Sequence, residues 1–354
     1  MLCDSMTVYS HHFPELILNT CACYSSAVNK PAHHHAGGQG APDSSDAQAV
    51  VLSTHGLTKD FKKLRAVDGL DLTVHRGDVF GFLGPNGAGK STTIRLIFGL
   101  IYPTSGHVEV LGHQVPRDRQ EALRHVGGFV DDPTFYGNIT ARRNLRMLGR
   151  MNGEVSEERI TEVLEIVGLS DRGGSKVGSY SHGMRQRLGI ALALIHQPEL
   201  IILDEPTSGL DPQGMKDVRE LIRELGRQGT TVFLSSHLLH EVELVCNRAA
   251  ILRKGTMVVQ GPVPELRPAR NAFKILTGNQ GRALEVLRRL VPPGGVTEDE
   301  GHLVVEATED LVPEAVRRLV ADRIDVLAVI PADEQGLEDM FLELTARDDT
   351  ERAS

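Results

Sequence analysis

Short apolar runs separated by polar turns extend through most of the chain. Residues 50–53 and 69–74 are two such runs, and their spacing predicts paired antiparallel strands. Residues 79–83 and 200–203 are continuous apolar runs, which are typical of strands buried on both faces of a sheet. Because helical patterns separate these later runs, the sequence predicts an α/β fold that begins with an antiparallel β subdomain.

A helical stretch from residue 140 to about residue 169 interrupts this alternation. Behind Ser156, a residue type that caps helices, apolar side chains repeat at the spacing of one helix face. They are Ile160, Val163, Leu164 and Val167. The pattern predicts a helical subdomain, about residues 132–190, inserted into a domain of residues 50–262.

The chain after residue 262 alternates between strand and helix patterns in a smaller unit. Strands are predicted at residues 272–276, 303–306 and 325–330, and helices at residues 282–290, 311–320 and 337–344. We expect a C-terminal α+β accessory domain over residues 263–354. No motif with recognisable chemistry falls in it.

Residues 1–49 contain stretches rich in Ser, Gly, Ala and Pro, which predicts a disordered N-terminal extension. The tail offers metal ligands, namely Cys21, Cys23, His33, His34 and His35. Their spacing fits no zinc-site pattern, so an unstructured tail is favoured over a zinc or copper site. An upstream extension from a mistaken start codon is a further interpretation.

Composition narrows the possible functions. The 354 residues are 40% hydrophobic and 24% charged, which suits a large domain with a smaller one. A formal net charge of −9 disfavours a nucleic-acid binder with a basic surface. No apolar stretch approaches the roughly 18 residues of a membrane span. The 4 cysteines are too few for a disulfide framework, so a reducing cytoplasm is expected.

A glycine-rich loop lies between the apolar run 79–83 and a helix predicted at residues 92–100. It reads Gly84, Pro85, Asn86, Gly87, Ala88, Gly89, Lys90 and Ser91, the G-x-x-x-x-G-K-[ST] pattern. The glycines let backbone N–H groups point at phosphate oxygens, and the helix N-terminus adds positive potential. Lys90 supplies a mobile charge to the phosphates, and the Ser91 hydroxyl can coordinate Mg²⁺. The loop predicts a nucleotide site, against the alternative of a glycine-rich turn before an ordinary helix.

Polar side chains follow several predicted strands, where α/β sheets place their chemistry. Asp204 and Glu205 follow one apolar run, Asp131 follows another, and His237 comes shortly after a third. The alternative for the acidic pair is a solvated strand end, and for His237 an ordinary histidine.

Five motifs stand in one order: the phosphate loop, Asp131, the segment 180–186, Asp204 with Glu205, and His237. With them, roughly residues 50–262 resemble the ATP-binding subunit of an ATP-binding cassette (ABC) transporter. The ending at residues 337–345 looks like that of exporter-type subunits for drugs, antibiotic peptides and polysaccharides. The resemblance implies a P-loop NTPase fold of the ABC type that binds ATP and Mg²⁺ and hydrolyses ATP.

The resemblance implies a role for each matched residue. Lys90 would bind phosphate, Glu205 would deprotonate the attacking water, and His237 would contact the γ-phosphate. Phe61 would stack on adenine, although packing is the default for a lone aromatic. The implied nucleotide contacts are Phe61, Gly84, Pro85, Asn86, Gly87, Ala88, Gly89, Lys90, Ser91, Thr92, Asp131, Ser181, Gly183 and Asp211. The implied metal ligands are Ser91, Asp204 and Asp131.

The segment 180–186 implies a dimer. Ser181 and Gly183 match a family signature that binds the γ-phosphate held by the opposite subunit, and Asp211 matches a loop that contacts the partner. Two copies would face head to tail with two ATP molecules between them. His182 replaces the first glycine of the signature, and Asp131 stands where the family usually has glutamine, with a shorter reach.

We therefore expect an ATP-hydrolysing homodimer at the cytoplasmic face of the membrane that energises a separate transmembrane permease. It would contact the membrane only through the permease, and it would not bind nucleic acid. The exporter-like ending and Asp131 favour export. Residues 133–138, with Phe135 and Tyr136, and the helical segment that follows them are expected to dock the permease. The alternative is a soluble ABC-type ATPase of translation or DNA repair, although the chain has one phosphate loop and no sustained heptad pattern. A phosphate-loop kinase is a more distant alternative.

Overall fold

The computed structural model describes residues 49–62, 64–266, 272–292, 294–299, 301–306 and 311–331. The chain divides into two units, residues 1–262 and residues 263–354. In chain order, the first unit contains β1 (Val50–Phe61), β2 (Leu64–His75), β3 (Val79–Leu83), α1 (Lys90–Ile97), β4 (Ser105–Val110), β5 (His113–Val115), α2 (Arg119–Ala122), β6 (Val126–Phe129), α3 (Ala141–Gly149), α4 (Glu157–Ile166), α5 (His182–Leu194), β7 (Leu200–Leu203), α6 (Pro212–Arg227), β8 (Thr231–Ser236), α7 (Leu239–Val245), β9 (Arg248–Arg253) and β10 (Thr256–Pro262).

The first sheet is antiparallel, with the strand order β2-β1-β4-β5. The predicted pair of strands forms, but β1 is longer than its apolar run and continues through irregular pairing to Phe61. Leu52 lies opposite Val110 and Thr54 opposite Val108, and all four side chains are buried. Because side chains alternate along a strand, the residues between them point to the other face of the sheet.

The second sheet has the order β10-β9-β3-β8-β7-β6 and is parallel except for the pair of β10 with β9. Every residue of β3, β7 and β8 is buried, as the apolar runs 79–83 and 200–203 predict for β3 and β7. Leu83 pairs with Ser236, and Leu203 pairs with Leu234. The carboxyl ends of these three strands therefore lie at one edge of the sheet.

The helices between β6 and β7 match the predicted helical insertion. Ser156 caps α4, as expected, by accepting a hydrogen bond from the backbone N–H of Arg159. Ser181 caps α5 in the same way. The helix α2, between β5 and β6, is a single turn.

The second unit contains α8 (Val263–Leu266), β11 (Ala272–Thr277), α9 (Gln280–Leu287), β12 (Val296–Asp299), β13 (His302–Glu306), α10 (Val312–Ala321) and β14 (Val326–Pro331). Its sheet is antiparallel, in the order β12-β13-β11-β14. The predicted strands form, and β12 is an additional strand that the sequence pattern did not predict.

Two predictions fall outside the described residues. These are the tail of residues 1–48, with its cysteines and histidines, and the C-terminal helix 337–344 with the exporter-like ending 337–345. In the part of the chain that is described, no helix combines the length and the hydropathy that crossing a membrane requires.

Candidate nucleotide-binding site

The phosphate loop connects the end of β3 to the start of α1, as its sequence predicts. At Gly84 an added Cβ would lie 2.6 Å from the carbonyl oxygen of Leu252, and at Gly89 it would lie 2.4 Å from that of Ala66. Gly89 also has a left-handed backbone, with φ at 107°. Close backbone packing therefore requires glycine at both positions, and the left-handed backbone is a second requirement at Gly89.

The loop presents its middle to solvent. Pro85, Asn86 and Gly87 are exposed, whereas Ala88 is buried. Ser91 and Thr92 are half-buried in the first turn of α1, which contains no acidic residue and has no side-chain cap. An uncapped helix N-terminus behind an exposed loop suits an anion such as a phosphate group.

Lys90 links this loop to the acidic strand end. Its side chain is only 5% exposed, and Nζ donates hydrogen bonds to the carbonyl oxygens of Gly84, at 2.7 Å, and Pro85, at 3.3 Å. The same Nζ lies 3.1 Å from Oε1 of Glu205. The ammonium group of Lys90 therefore lies between the loop backbone and the carboxylate of Glu205, to which the resemblance assigns a catalytic role.

Glu205 and His237 contact each other directly. Oε2 of Glu205 forms a short hydrogen bond with Nδ1 of His237, and both side chains are partly exposed. Glu205 has a left-handed backbone with φ at 48°, which is uncommon away from glycine and is concentrated at functional sites. The structure thus brings the three predicted catalytic residues, Lys90, Glu205 and His237, into one chain of contacts.

Ser235 connects the two carboxylates, and the sequence analysis did not single it out. Its Oγ donates a hydrogen bond to Oδ1 of buried Asp204 and accepts one from the backbone N–H of Glu205, at 2.9 Å. The sequence signal was present, because Ser235 and Ser236 are hydroxyl side chains at the end of an otherwise apolar strand. Both are buried.

The donor set near the loop fits Mg²⁺. Ser91 offers a hydroxyl oxygen and Asp204 a carboxylate oxygen, which are the hard ligands that this ion prefers. Asp204 and Glu205 together carry two negative charges against the single positive charge of Lys90, so the strand ends favour a divalent cation.

Asp131 pairs with Arg95 of α1. Nη2 of Arg95 lies 3.1 Å from Oδ1 and 2.8 Å from Oδ2 of Asp131. Both side chains are partly exposed, and Asp131 has a left-handed backbone with φ at 60°. Because Ser91 and Arg95 are four residues apart on one helix, Asp131 is held on the α1 face that carries Ser91.

Phe61 is the last residue of β1 and is 44% exposed. Nζ of Lys59 lies 5.0 Å from the ring centroid. The ring therefore remains accessible for stacking, and its exposure argues against the alternative of an ordinary core residue.

The signature segment and the loop before α6 lie side by side. Ser181 is exposed, and its Oγ accepts a hydrogen bond from the N–H of Met184. Nε2 of His182 lies 3.1 Å from the carbonyl oxygen of Ser208. Asp211 caps α6 by accepting a hydrogen bond from the N–H of Gly214, at 2.9 Å. Gly183 is in the first turn of α5, so this region offers a second exposed helix N-terminus.

The family model for ABC transporters matches residues 67–208. The bacitracin transport ATP-binding protein BcrA of Bacillus licheniformis is 39% identical over 305 residues, which cover 84% of this chain and 97% of that protein. The linearmycin resistance ATP-binding protein LnrL of Bacillus subtilis is 34% identical over 84% of this chain and 99% of that protein.

Solved structures of ATP-binding cassettes are similar to part of the chain. One is a dimeric ATP-binding cassette in a post-hydrolysis state, bound to ADP and Pi. It matches with a TM-score of 0.54 and 25% identity, over 60% of this chain and 98% of the solved chain.

Proposed function

The chain belongs to the ATP-binding proteins of the ABC transporter family, and from this premise we propose that Glu205 drives its ATP hydrolysis and that the transporter it energises is an exporter. The family match and the relatives confirm the predicted ABC cassette fold and the predicted ATP-hydrolysing role in transport. They do not favour the alternative of a soluble ATPase in translation or DNA repair.

The contact chain from Lys90 through Glu205 to His237 carries the proposal for the chemistry. In the reaction, the oxygen of a water molecule bonds to the γ-phosphorus, the bond to the ADP oxygen breaks, and the water gives a proton to Glu205. His237 holds the Glu205 carboxylate by its hydrogen bond. Lys90 is positioned to exchange its carbonyl partners for phosphate oxygens. Mg²⁺ bound by Ser91 and Asp204, with Asp131 as a further acidic oxygen, would neutralise phosphate charge.

The proposal for export comes from the relatives, two of which are named for bacitracin transport and linearmycin resistance. We infer that this chain works with a separate transmembrane permease that exports an antibiotic-like or other amphipathic molecule, and that it lies at the cytoplasmic face of the membrane. Copurification of the tagged full-length chain with a polytopic membrane protein would support this. Recovery of the chain without such a partner from detergent-solubilised membranes would contradict it.

Replacing Glu205 with glutamine tests the chemistry. Glu205→Gln should retain ATP binding and lower the hydrolysis rate about a hundredfold or more, because the amide cannot accept the proton from water. ATP should then hold the variant as a dimer in size-exclusion chromatography. The matched control is Glu199→Gln, since Glu199 precedes the opposite end of β7 and pairs with Arg76. Normal hydrolysis by Glu205→Gln would show that Glu205 is not the base.

A further inference from the structure

A cluster of metal-binding side chains lies on the first sheet, away from the phosphate loop in sequence. His55 of β1 lies opposite His107 of β4, and Ser53 lies opposite Glu109. Val108 and Val110 of β4 are buried, so His107 and Glu109 point to the other face of the strand. Pairing of the two strands therefore brings His55, His107 and Glu109 together on one face.

The three side chains are close enough to share an ion. One ligand atom from each of His55, His107 and Glu109 lies within 4.8 Å of the other two. The two imidazole rings are stacked, with centroids 4.7 Å apart and planes inclined by 27°. Among the described residues, these three form the one cluster of His, Cys, Asp or Glu side chains in which three ligand atoms lie this close together.

We propose that His55, His107 and Glu109 form a binding site for a transition-metal ion of the Zn²⁺ class. Two imidazoles and one carboxylate are a donor set that zinc accepts, with water as the fourth ligand. Mg²⁺ and Ca²⁺ prefer oxygen ligands, so the imidazoles favour zinc over the ion expected at the nucleotide. The site is separate from the residues assigned to ATP hydrolysis.

The surroundings support a cation at this position. Nε2 of His55 lies 3.1 Å from Oγ of Ser53, so this ring nitrogen has a hydrogen-bond partner that orients the imidazole. The carboxylate of Asp71 accepts a hydrogen bond from the N–H of Gly56, beside His55. Glu109 therefore places a negative charge within 4.8 Å of a ring nitrogen of each imidazole, and Asp71 adds one on the backbone beside His55.

Small side-chain movements would complete the coordination. Tetrahedral bonds of about 2.0–2.1 Å require ligand atoms about 3.3 Å apart, so the present separations must shorten by up to about 1.5 Å. His55 is exposed, and His107 and Glu109 are half-buried, so rotation of the side chains has room. Metal binding would join β1 to β4 at His55, next to the irregular pairing that precedes Phe61.

Zinc titration of the full-length chain tests the site. The tail ligands are first replaced through Cys3→Ser, Cys21→Ser, Cys23→Ser, His11→Asn, His12→Asn, His33→Asn, His34→Asn and His35→Asn. In excess Mg²⁺ and without nucleotide, this protein should bind one equivalent of Zn²⁺ at the sheet. His107→Asn and Glu109→Gln should each weaken that binding about tenfold or more, since removal even of supporting groups costs 10–100-fold. Co²⁺ in place of Zn²⁺ should give the visible absorption of a four-coordinate site.

His113→Asn is the matched control, because His113 is an exposed histidine of β5 in the same sheet. It should leave the zinc affinity unchanged, and any zinc at Asp204, Glu205 or His237 contributes equally to every variant. His55→Asn, at an exposed position, is the second test if His107→Asn does not fold. Zinc affinity that is the same in His107→Asn and His55→Asn as in the parent, or no stoichiometric binding by the parent, would overturn the proposal.

Discussion

At the scale of single residues, Asp131 is one of two positions, with His182, at which the chain departs from the pattern that it resembles. The family usually has a glutamine there, and the shorter acidic side chain is held by Arg95 in this structure. Both partners are partly exposed, so their ion pair contributes only about 0.2–1 kcal/mol. A contact this weak can be exchanged for a stronger one when a divalent cation binds nearby.

Removing Arg95 tests whether Asp131 serves the metal. Arg95→Ala should lower the Mg²⁺ concentration for half-maximal ATPase activity by up to about fivefold. The reason is that the Asp131 carboxylate would no longer have to break its ion pair with the Arg95 guanidinium before it contacts Mg²⁺. Activity is measured across a magnesium titration. Arg124→Ala, which removes an exposed pair with Glu121, is the control. If Arg95→Ala lowers the required Mg²⁺ concentration equally in a protein that also carries Asp131→Ala, Asp131 does not act on Mg²⁺.

At the scale of elements, the sequence predicts best where the signal is local. Spacing alone locates the phosphate loop, and continuous apolar runs locate β3 and β7, because burial on both faces leaves little room for polar residues. The short strand β12 escaped prediction because only Val296 of its four residues is buried. It forms as a hairpin with β13, in which Val296 pairs with Val305 and Asp299 with His302, so backbone pairing rather than an apolar run holds it.

The same distinction separates the parts of the candidate site. Lys90, Glu205 and His237 could be named from motifs at strand ends, since parallel strands bring such ends together. The contact of Asp131 with Arg95 and the linking role of Ser235 depend on three-dimensional packing. The position of Phe61 at the end of a strand was also not predicted. Pairing with β2 extends β1 as far as Phe61, through polar residues that lie beyond the predicted apolar run.

The segment of residues 133–138 offers a test at the element scale. Buried Asn144 of α3 fixes its backbone by accepting a hydrogen bond from the N–H of Tyr136 and donating one to its carbonyl oxygen. The Tyr136 side chain is 50% exposed. The double variant Phe135→Ala and Tyr136→Ala should therefore lose transport while keeping ATPase activity. It removes aromatic contact area for the permease, and it keeps the hydrogen bonds of Asn144 to the backbone of residue 136.

Both activities should be measured in the assembled transporter, with Tyr102→Ala as the control because Tyr102 is an aromatic residue that is 73% exposed elsewhere. Unchanged transport by the double variant would remove residues 133–138 from the permease contact.

At the scale of the whole molecule, two separate features of the chain are predicted to bind phosphate. The first feature is the phosphate loop before α1, and the second is Ser181 with Gly183 at the start of α5. The resemblance pairs the first feature of one copy with the second feature of another. A solved cassette of similar fold is described as dimeric with ADP and Pi bound, which fits this arrangement.

Mixing two inactive variants would reveal such a shared site. Lys90→Ala disables the phosphate loop, and Ser181→Asp places a carboxylate against the γ-phosphate while keeping a good helix cap. In a head-to-tail dimer of one copy of each, one site combines both defects and the other has none. If half of the dimers are mixed, activity should return to about a quarter of the wild-type value.

The measurement is steady-state ATPase activity after mixing equal amounts of the two variants, compared with each variant alone. Ser179→Asp, at an exposed serine just before the signature, should remain active by itself and controls for the added charge. If each copy used its own Ser181, every site in the mixture would still contain one defect and no activity would return. Recovery therefore requires that Lys90 and Ser181 of one working site come from different chains.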